Sequence, residues 1–204
     1  MLFSVGFIFC LLQKRALQRY FVHLQNKAYS PKDATVLLLK ARELAEPQGA
    51  LVRDSRVSSK YIEFDTSIPD AMDVSDLTGK LAAISPIASV EHIVDKHMPR
   101  DEAIRHAIKL FNDEKYWGTH EALEMVWKAT PPGKERDLIN GIILVAAALV
   151  HDQKDEQDIC LSILRRAMKK LDESTGTYHG IDVDRLVGLV AKMLSTGRPE
   201  RFTI

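Results

Sequence analysis

The chain has 204 residues, 46% of them apolar, which is enough for one large domain or two small ones with a buried core. Its 28 basic residues balance its 28 acidic residues, and this argues against a general nucleic-acid binder, because such proteins rely on surplus lysine and arginine. The two cysteines, Cys10 and Cys160, lie far apart in the sequence, so neither a disulfide framework nor a zinc cluster is predicted and a reducing cytoplasm is expected.

The first twelve residues are apolar and are followed by Gln13, Lys14 and Arg15. A secretory signal carries its positive charge before the apolar run, and a membrane-spanning helix needs about twenty residues, so neither is predicted. Three interpretations of residues 1–18 remain: a mis-assigned translation start with the native start near Leu17, a short anchor at a membrane surface, or an ordered segment.

Residues 19–97 show strand and helix periodicities in the order β-α-β-β-α-β. The predicted elements are strands at Arg19–Gln25, Leu51–Val57, Lys60–Ser67 and Pro86–Val94, and helices from Ala34 to Ala45 and from Val74 to Ile84. This order predicts a ferredoxin-like sandwich, whose helices cover one face of the sheet. The other face is then free for RNA, a partner protein or the second domain.

Basic residues surround the predicted hairpin and also lie on one face of a later helix. On the hairpin, Arg53, Arg56 and Lys60 could form a phosphate-binding edge for RNA or a nucleotide. Scattered basic side chains on a hairpin are usually solvated, however, and the aromatic pattern that stacks RNA bases is missing. The corresponding helix residues, which we also expect to be solvated, are Arg165, Arg166, Lys169 and Lys170. Nucleic-acid binding is therefore disfavoured but left open.

A domain boundary is predicted at His97–Arg100, which contains Pro99, and residues 98–204 are expected to form an all-α bundle of about five helices. Cys160 falls on the apolar side of one helix and is predicted to be a core thiol. Asp182 is a predicted N-cap of the last helix, after a break in the pattern at residues 174–180.

Two antiparallel helices are predicted between Trp117 and His151. Pro131–Gly133 ends the first helix, and a connection this short makes the two flanking helices antiparallel neighbours. The second helix has no charged residue from Gly141 to Val150, so it must be enclosed by other helices and forms the centre of the bundle. The missing side chain at Gly141 is expected to let the first helix of the pair approach closely.

On that first helix, a broad stripe carries the residue types from which sites are built. Its members are Trp117, His120, Glu121, Glu124, Trp127 and Lys128. The opposite side, with Ala122, Met125, Val126 and Ala129, is expected to pack against other helices. His120 and Glu124 lie one turn apart with a tryptophan on each side, which indicates a partly desolvated pair, and the antiparallel fold is expected to bring Glu124 near Asn140.

Three runs, LFNDEKYWGTHEALEMVWK, ERDLINGIILVAAALVH and YHGID, together resemble the family called domain of unknown function 309, whose members have been labelled predicted metal-dependent hydrolases. The resemblance covers about residues 101–194 and implies a helical fold. The positions that correspond to the family pattern are His120, Glu121, Glu124, Trp127, Glu135, Arg136, Gly141, His151, Gly180 and Asp182. Asn140 stands where the family has a glutamine, so the side-chain amide here is one methylene shorter.

The sequence leads us to prefer a binding or scaffold module, in which the polar residues of the hairpin fix helix register and satisfy buried partners. The ligand-binding candidates are Trp117, Trp127, Asp137, Asn140 and Tyr178. A small molecule and a protein partner are both open, as is a homo-oligomer.

The alternative is a metal-dependent hydrolase that holds a divalent metal. His120 and Glu124, at i and i+4, can reach one ion, His151 or His179 would supply a third ligand, and Glu121 or Glu124 would act as a catalytic carboxylate. The sequence has HEALE in place of HExxH, so the second histidine of that metal motif is replaced by an acid.

Overall fold

The structure is a computed structural model that describes residues 17–94 and 98–204. The interpretations of residues 1–16 lie outside this part of the chain. The elements are β1 Leu17–Gln25, α1 Ala34–Ala45, β2 Leu51–Val57, β3 Tyr61–Pro69, α2 Val74–Leu81, β4 Ile87–Ile93, α3 Arg100–Asn112, α4 Tyr116–Ala129, α5 Lys134–Asp152, α6 Gln157–Leu171, β5 Thr177–Tyr178, β6 Ile181–Asp182 and α7 Val183–Thr196. The predicted α+β class is confirmed.

The first four strands form one antiparallel sheet in the order β2-β3-β1-β4. Helix α1 connects β1 to β2, and β3 lies between these two strands, which is the split β-α-β arrangement of a ferredoxin-like sandwich. The sequence predicted this arrangement because the strands alternate in polarity whereas α1 and α2 repeat every three to four residues.

One face of the sheet is apolar and packs against α1 and α2. Alternate residues of a strand point to the same face, which places Val22 and Leu24 of β1 beside Ile62 and Phe64 of β3. These four side chains are fully buried, together with Leu37 and Leu77 of the two helices. Burial of this apolar surface is the main contribution to the stability of the sandwich.

The other face is polar, although most of it is buried. It carries Arg19, Phe21 and His23 of β1, and the register places Phe21 opposite Asp65 and His23 opposite Glu63. The sequence left this face open to RNA, a partner or the second domain, and in the structure helix α4 lies against it. The backbone N–H of Val57 also donates to the carbonyl oxygen of Gln153 at 2.9 Å.

Five helices, α3–α7, form the C-terminal region, as predicted. Helix α5 is its centre, and ten of its residues between Leu138 and Val150 are buried. Cys160 is fully buried on α6, so the predicted core thiol is confirmed, and burial raises its pKa to about 12. The division into domains at residues 97 and 98 stays a prediction.

The prediction that Gly141 lets α4 approach closely is wrong, because the close neighbour of Gly141 is α6. A methyl group built on Gly141 would lie 2.5 Å from Cδ2 and 2.7 Å from Cγ of Leu171 on α6. The glycine therefore admits Leu171 of α6 and does not serve close approach of α4.

The predicted packing face of α4 is also partly wrong. Met125 is 43% exposed and Ala129 is exposed, whereas the buried stripe consists of Tyr116, Thr119, Leu123 and Val126. The difference arises because α4 lies between two layers and contacts the sheet with one side and the helical core with another. A single apolar stripe does not describe such a helix.

The break predicted after α6 contains a two-residue hairpin, in which β5 pairs with β6. His179 and Gly180 form its tip with φ of 47° and 91°, the left-handed conformation that such a tight turn requires. The side chain of Asp182 accepts a hydrogen bond from the N–H of Arg185 at 2.9 Å, which confirms the predicted N-cap.

None of the helices in residues 17–94 and 98–204 has the length and apolar character needed to cross a membrane.

Candidate functional site

Helix α4 places Trp117 and His120 against the polar face of the sheet. Their rings stack, with centroids 5.1 Å apart and planes 7° from parallel. The guanidinium of Arg56, on β2, lies 5.0 Å from the centre of the Trp117 ring. Trp117 Nε1, His120 Nδ1 and Arg56 Nε are all buried and find no hydrogen-bond partner among the described protein atoms. The stack therefore lies at the junction of the two layers, where these three nitrogen atoms are shielded from solvent.

Glu121, a predicted catalytic residue, is bound to the sheet. Arg19 holds Asp65 through two hydrogen bonds, 3.0 Å from Nε and 2.8 Å from Nη2, and its Nη1 donates to Glu121 Oε1 at 3.3 Å. The hydrogen bond to Asp65, and then the charges of both carboxylates, raise the pKa of Arg19 against the opposing effect of burial. Arg19 thus connects β3 to α4, and Glu121 is the helix end of that connection.

Behind Trp117 lies a buried ionic cluster that the sequence interpretation missed. Arg56 pairs with Glu63 through Nη1, and His23 Nε2 lies 2.8 Å from the other oxygen of Glu63. Burial would raise the pKa of Glu63, but the charge of Arg56 and the hydrogen bond with His23 lower it to about 2. Arg56 was expected to be a solvated hairpin residue, and it is 2% exposed.

A signal for this cluster exists in the sequence. The ferredoxin-like order makes β1 and β3 neighbours, and the alternation of Ile62 and Phe64 with Glu63 and Asp65 puts both acids on the face away from α1 and α2. His23 on β1 and Arg56 on β2 flank this pair of acids on β3, and opposite charges on neighbouring strands predict pairing across the sheet. What the sequence could not give is the layer that covers these acids.

A groove of about 630 Å³ lies beside this junction, between the edge of β4 and helices α3 and α4. Its apolar lining includes Val90, Ile93 and Val94 from β4 and its end, Leu110 from α3, and Ala122 and Met125 from α4. Its charged lining consists of Glu91, Glu121, Glu124 and Lys128, beside His92 and His106. The two predicted catalytic carboxylates therefore line the same groove.

Glu124 is half-exposed and forms an ion pair with Lys128 one helical turn away, at 3.0 Å. On the sheet side of the groove, Lys115 pairs with Glu91 and donates to Ser89 Oγ at 3.3 Å. The carboxylates of the groove are thus held by cations of the protein itself.

Trp127 is placed apart from this groove, because it does not belong to its lining. The Arg136 guanidinium lies 4.6 Å from the centre of the Trp127 ring, and Arg136 Nη1 donates to the carbonyl oxygen of Thr130 at 2.9 Å. These contacts hold the turn between α4 and α5. Trp127 therefore stabilises the hairpin in this structure.

The other ligand-binding candidates lie in separate surroundings. Asp137 is exposed and pairs with Lys170 at 2.6 Å, beside a small charged pocket of about 240 Å³ between α5 and α6. Asn140 is half-buried on α5. Arg100 donates to the Tyr178 hydroxyl at 3.2 Å and pairs with Glu135, and burial raises the pKa of Tyr178 to about 12.

His151, a predicted metal ligand, is near the end of α5 and pairs through Nδ1 with Glu156. In the part of the chain that the structure describes, no three histidine, cysteine, aspartate or glutamate side chains are grouped so that they could hold a metal ion. His120, Glu124 and His151 are accordingly not brought together as a ligand set. The divalent metal stays a prediction.

The fold and the groove define an α+β protein in which a helical hairpin packs on the polar face of a ferredoxin-like sheet. A family model described as "Domain of unknown function (DUF309)" matches residues 104–163, from α3 into α6. The match confirms the resemblance for the run from Trp117 to Trp127 and for His151, but it does not extend to Tyr178. It carries no activity with it. No curated protein matches the chain.

Proposed function

We propose that this protein is a binding module and that its ligand occupies the groove between β4, α3 and α4. The observation that carries the proposal is the lining of the groove, where apolar side chains from three elements lie beside carboxylates at the rim. Ligand sites of this size are mostly apolar with a few placed polar groups.

The scaffold role of the hairpin supports the same proposal. Glu121 binds Arg19, Arg136 lies over Trp127 and His151 pairs with Glu156. Most of the side chains predicted from the sequence to be catalytic or binding residues therefore connect one helix or strand to another. Such contacts fix the walls of a site, which is the function expected of a rigid binding scaffold.

A fluorescent apolar probe without charge, N-phenyl-1-naphthylamine, tests whether the groove binds ligands. We expect saturable binding to the native protein that falls at least about tenfold in Val90→Lys and in Met125→Lys, because each places an ammonium in the apolar lining. Val36→Lys on α1 is the matched control, since Val36 is 67% exposed and lies outside the groove. Equal binding by all four proteins would overturn the proposal.

Metal analysis of the same samples tests the hydrolase hypothesis. A stoichiometric divalent metal in the purified protein, lost from a folded His120→Ala, Glu124→Ala double variant, would support the hydrolase and count against a purely binding role. The proposal expects no such metal-dependent difference between the two proteins.

A further inference from the structure

Strand β4 is one of the two edges of the four-stranded sheet in the described part of the chain. It pairs with β1 on one side, and no other described strand pairs with it. Its register with β1 is regular from Ser89 to Ile93 and shifts between Ser89 and Ile87, and β4 contains neither proline nor lysine. Edge strands present unpaired N–H and C=O groups, and natural proteins usually block them with bulges, charges or covering elements.

The opposite edge, β2, shows what such protection looks like in this chain. Its register with β3 shifts between Val52 and Asp54, and it carries Arg53, Asp54 and Arg56 within four residues. Its last residue, Val57, donates its backbone N–H to Gln153. Both edges contain a register shift, but β2 also has the hydrogen bond to Gln153 and more charged side chains, whereas β4 borders the groove.

Exposed apolar side chains mark the same place. Val90, Val94 and Met125 are 37%, 44% and 43% exposed, and all three line the groove. The register places Val90 opposite Val22, so Val90 lies on the α1 and α2 face of the sheet, and Val94, four residues later, could contact the same side of a segment lying alongside β4. Met125 and helices α3 and α4 lie on the other side of such a segment.

The carboxylates of the groove can accept a basic ligand. Glu91, Glu121 and Glu124 each pair with one cation of the protein, Lys115, Arg19 and Lys128 respectively. The ion pairs of the described residues engage Oε1 of each carboxylate and leave Oε2 able to accept a further hydrogen bond. A lysine or arginine of the ligand would find acceptors at the rim.

We propose that the groove binds an extended segment of a partner protein, which adds to β4 as a fifth strand. Main-chain hydrogen bonds to β4 supply affinity, apolar side chains on one face of the segment contact Val90 and Val94, and basic side chains on the other face pass Met125 and bind Glu121 or Glu124. This inference rests on the proposed binding function and names the class of its ligand.

The test uses the full chain, labelled with ¹⁵N, and a heptapeptide of alternating valine and lysine with blocked ends. We expect saturable shifts of the amide resonances of Val90 to Ile93. Two matched peptides separate the contributions: one with N-methyl groups on alternate backbone nitrogens, which cannot pair as a strand, and one with glutamate in place of lysine. Each should bind at least about tenfold more weakly.

Protein variants complete the design. Val90→Lys and Met125→Lys should weaken binding of the valine–lysine peptide at least about tenfold, whereas Val36→Lys should not change it. Equal binding of the N-methylated peptide would overturn strand addition, and equal binding of the glutamate peptide would overturn the basic ligand. A dimer in analytical ultracentrifugation that Val90→Lys dissociates would assign the edge to a second copy and also overturn the proposal.

The peptide test and the apolar-probe test can give negative results independently of each other. If the probe binds in the groove but no peptide does, the extended-segment proposal is wrong and the binding function stands. If neither binds, both are wrong.

Discussion

Replacement of Arg56 by methionine tests the ionic cluster beneath α4. Arg56 is among the largest fully buried side chains, and it pairs with Glu63 and lies 3.5 Å from Asp54 and 3.8 Å from Asp65. Its guanidinium also lies over the ring of Trp117. Methionine keeps an unbranched side chain that fills irregular space, and it removes the charge and every hydrogen bond of the guanidinium.

The expected loss follows from what is left behind. Removing one partner of a buried ion pair costs about 3–5 kcal/mol, because the other charge stays buried without compensation. Here Glu63 keeps its contact with His23 and Asp65 keeps Arg19, whereas the cation–π contact with Trp117, worth about 1 kcal/mol, is lost. We therefore expect Arg56→Met to lower the free energy of unfolding by about 3–5 kcal/mol at pH 7.

A second substitution should restore much of this loss. In the Arg56→Met, Glu63→Gln double variant no uncompensated charge remains, and a glutamine at that position can still hydrogen-bond His23. We expect the double variant to recover half or more of the lost stability, measured by urea unfolding at pH 7. Arg53→Met is the matched control, because Arg53 is an exposed arginine of the same strand, and it should change stability by less than about 1 kcal/mol.

Two results would refute the reasoning. One is a cost below about 1 kcal/mol for Arg56→Met, which would mean that Glu63 is not held by Arg56 in solution. The other is a double variant as unstable as the single one, which would assign the loss to packing against Trp117 and not to charge.

Three further outcomes are expected. The pKa of Glu63 is lowered from 4.5 to about 2 in the folded state, so its ionised carboxylate stabilises the fold by roughly 3 kcal/mol above pH 4.5, and this stability is lost as the pH falls toward 2. Glu63→Gln should therefore make the free energy of unfolding less dependent on pH in the acid range. An unchanged pH dependence would contradict this. Gly141→Ala should lower the free energy of unfolding by about 1–3 kcal/mol, measured with urea, because the added methyl group meets Leu171. Gly188→Ala is the control, because Gly188 on α7 has open space around it, and this variant should be neutral or stabilising by up to about 1 kcal/mol. Equal effects of the two substitutions would refute the close contact. In a chain whose other cysteine is serine, Cys160 should react with 5,5′-dithiobis(2-nitrobenzoate) at least about 100-fold more slowly in the native protein than in urea, and comparable rates would contradict its burial.

The fold could be predicted because its signals are local. The alternation along β3 and the spacing of Leu37 and Ala41 on α1 depend on neighbouring residues alone, and both survive in the structure. Chain order then selected the ferredoxin-like sheet. Arg56 was misjudged for the same reason: a hairpin pattern describes local conformation and says nothing about a helix that covers the outer face more than sixty residues later in the chain.

The sequence predicted which residues of α4 belong to the candidate site, but it did not predict which other elements line the groove. Trp117, His120, Glu121 and Glu124 share one helix, so their proximity followed from helical spacing. The groove needs β4 and α3 as well, and the placement of Val90 and Leu110 beside Met125 depends on how the layers pack. The exposed Met125 was accordingly assigned to a packing face, although it lines the groove.

The binding and metal hypotheses require different movements of the side chains that they use. Exposed pairs such as Glu124 with Lys128 are worth about 0–1 kcal/mol, so Glu124 could leave Lys128 at little cost to meet a ligand. His120 and His151 lie on different helices of a packed hairpin, and the described residues contain no group of three metal-ligating side chains. A ligand that needs one or two carboxylates at the rim of the groove therefore requires only side-chain rotation. A three-residue metal site built from His120, Glu124 and His151 requires these side chains to meet, which they do not do in the described structure, and metal analysis of the purified protein tests whether a metal is bound.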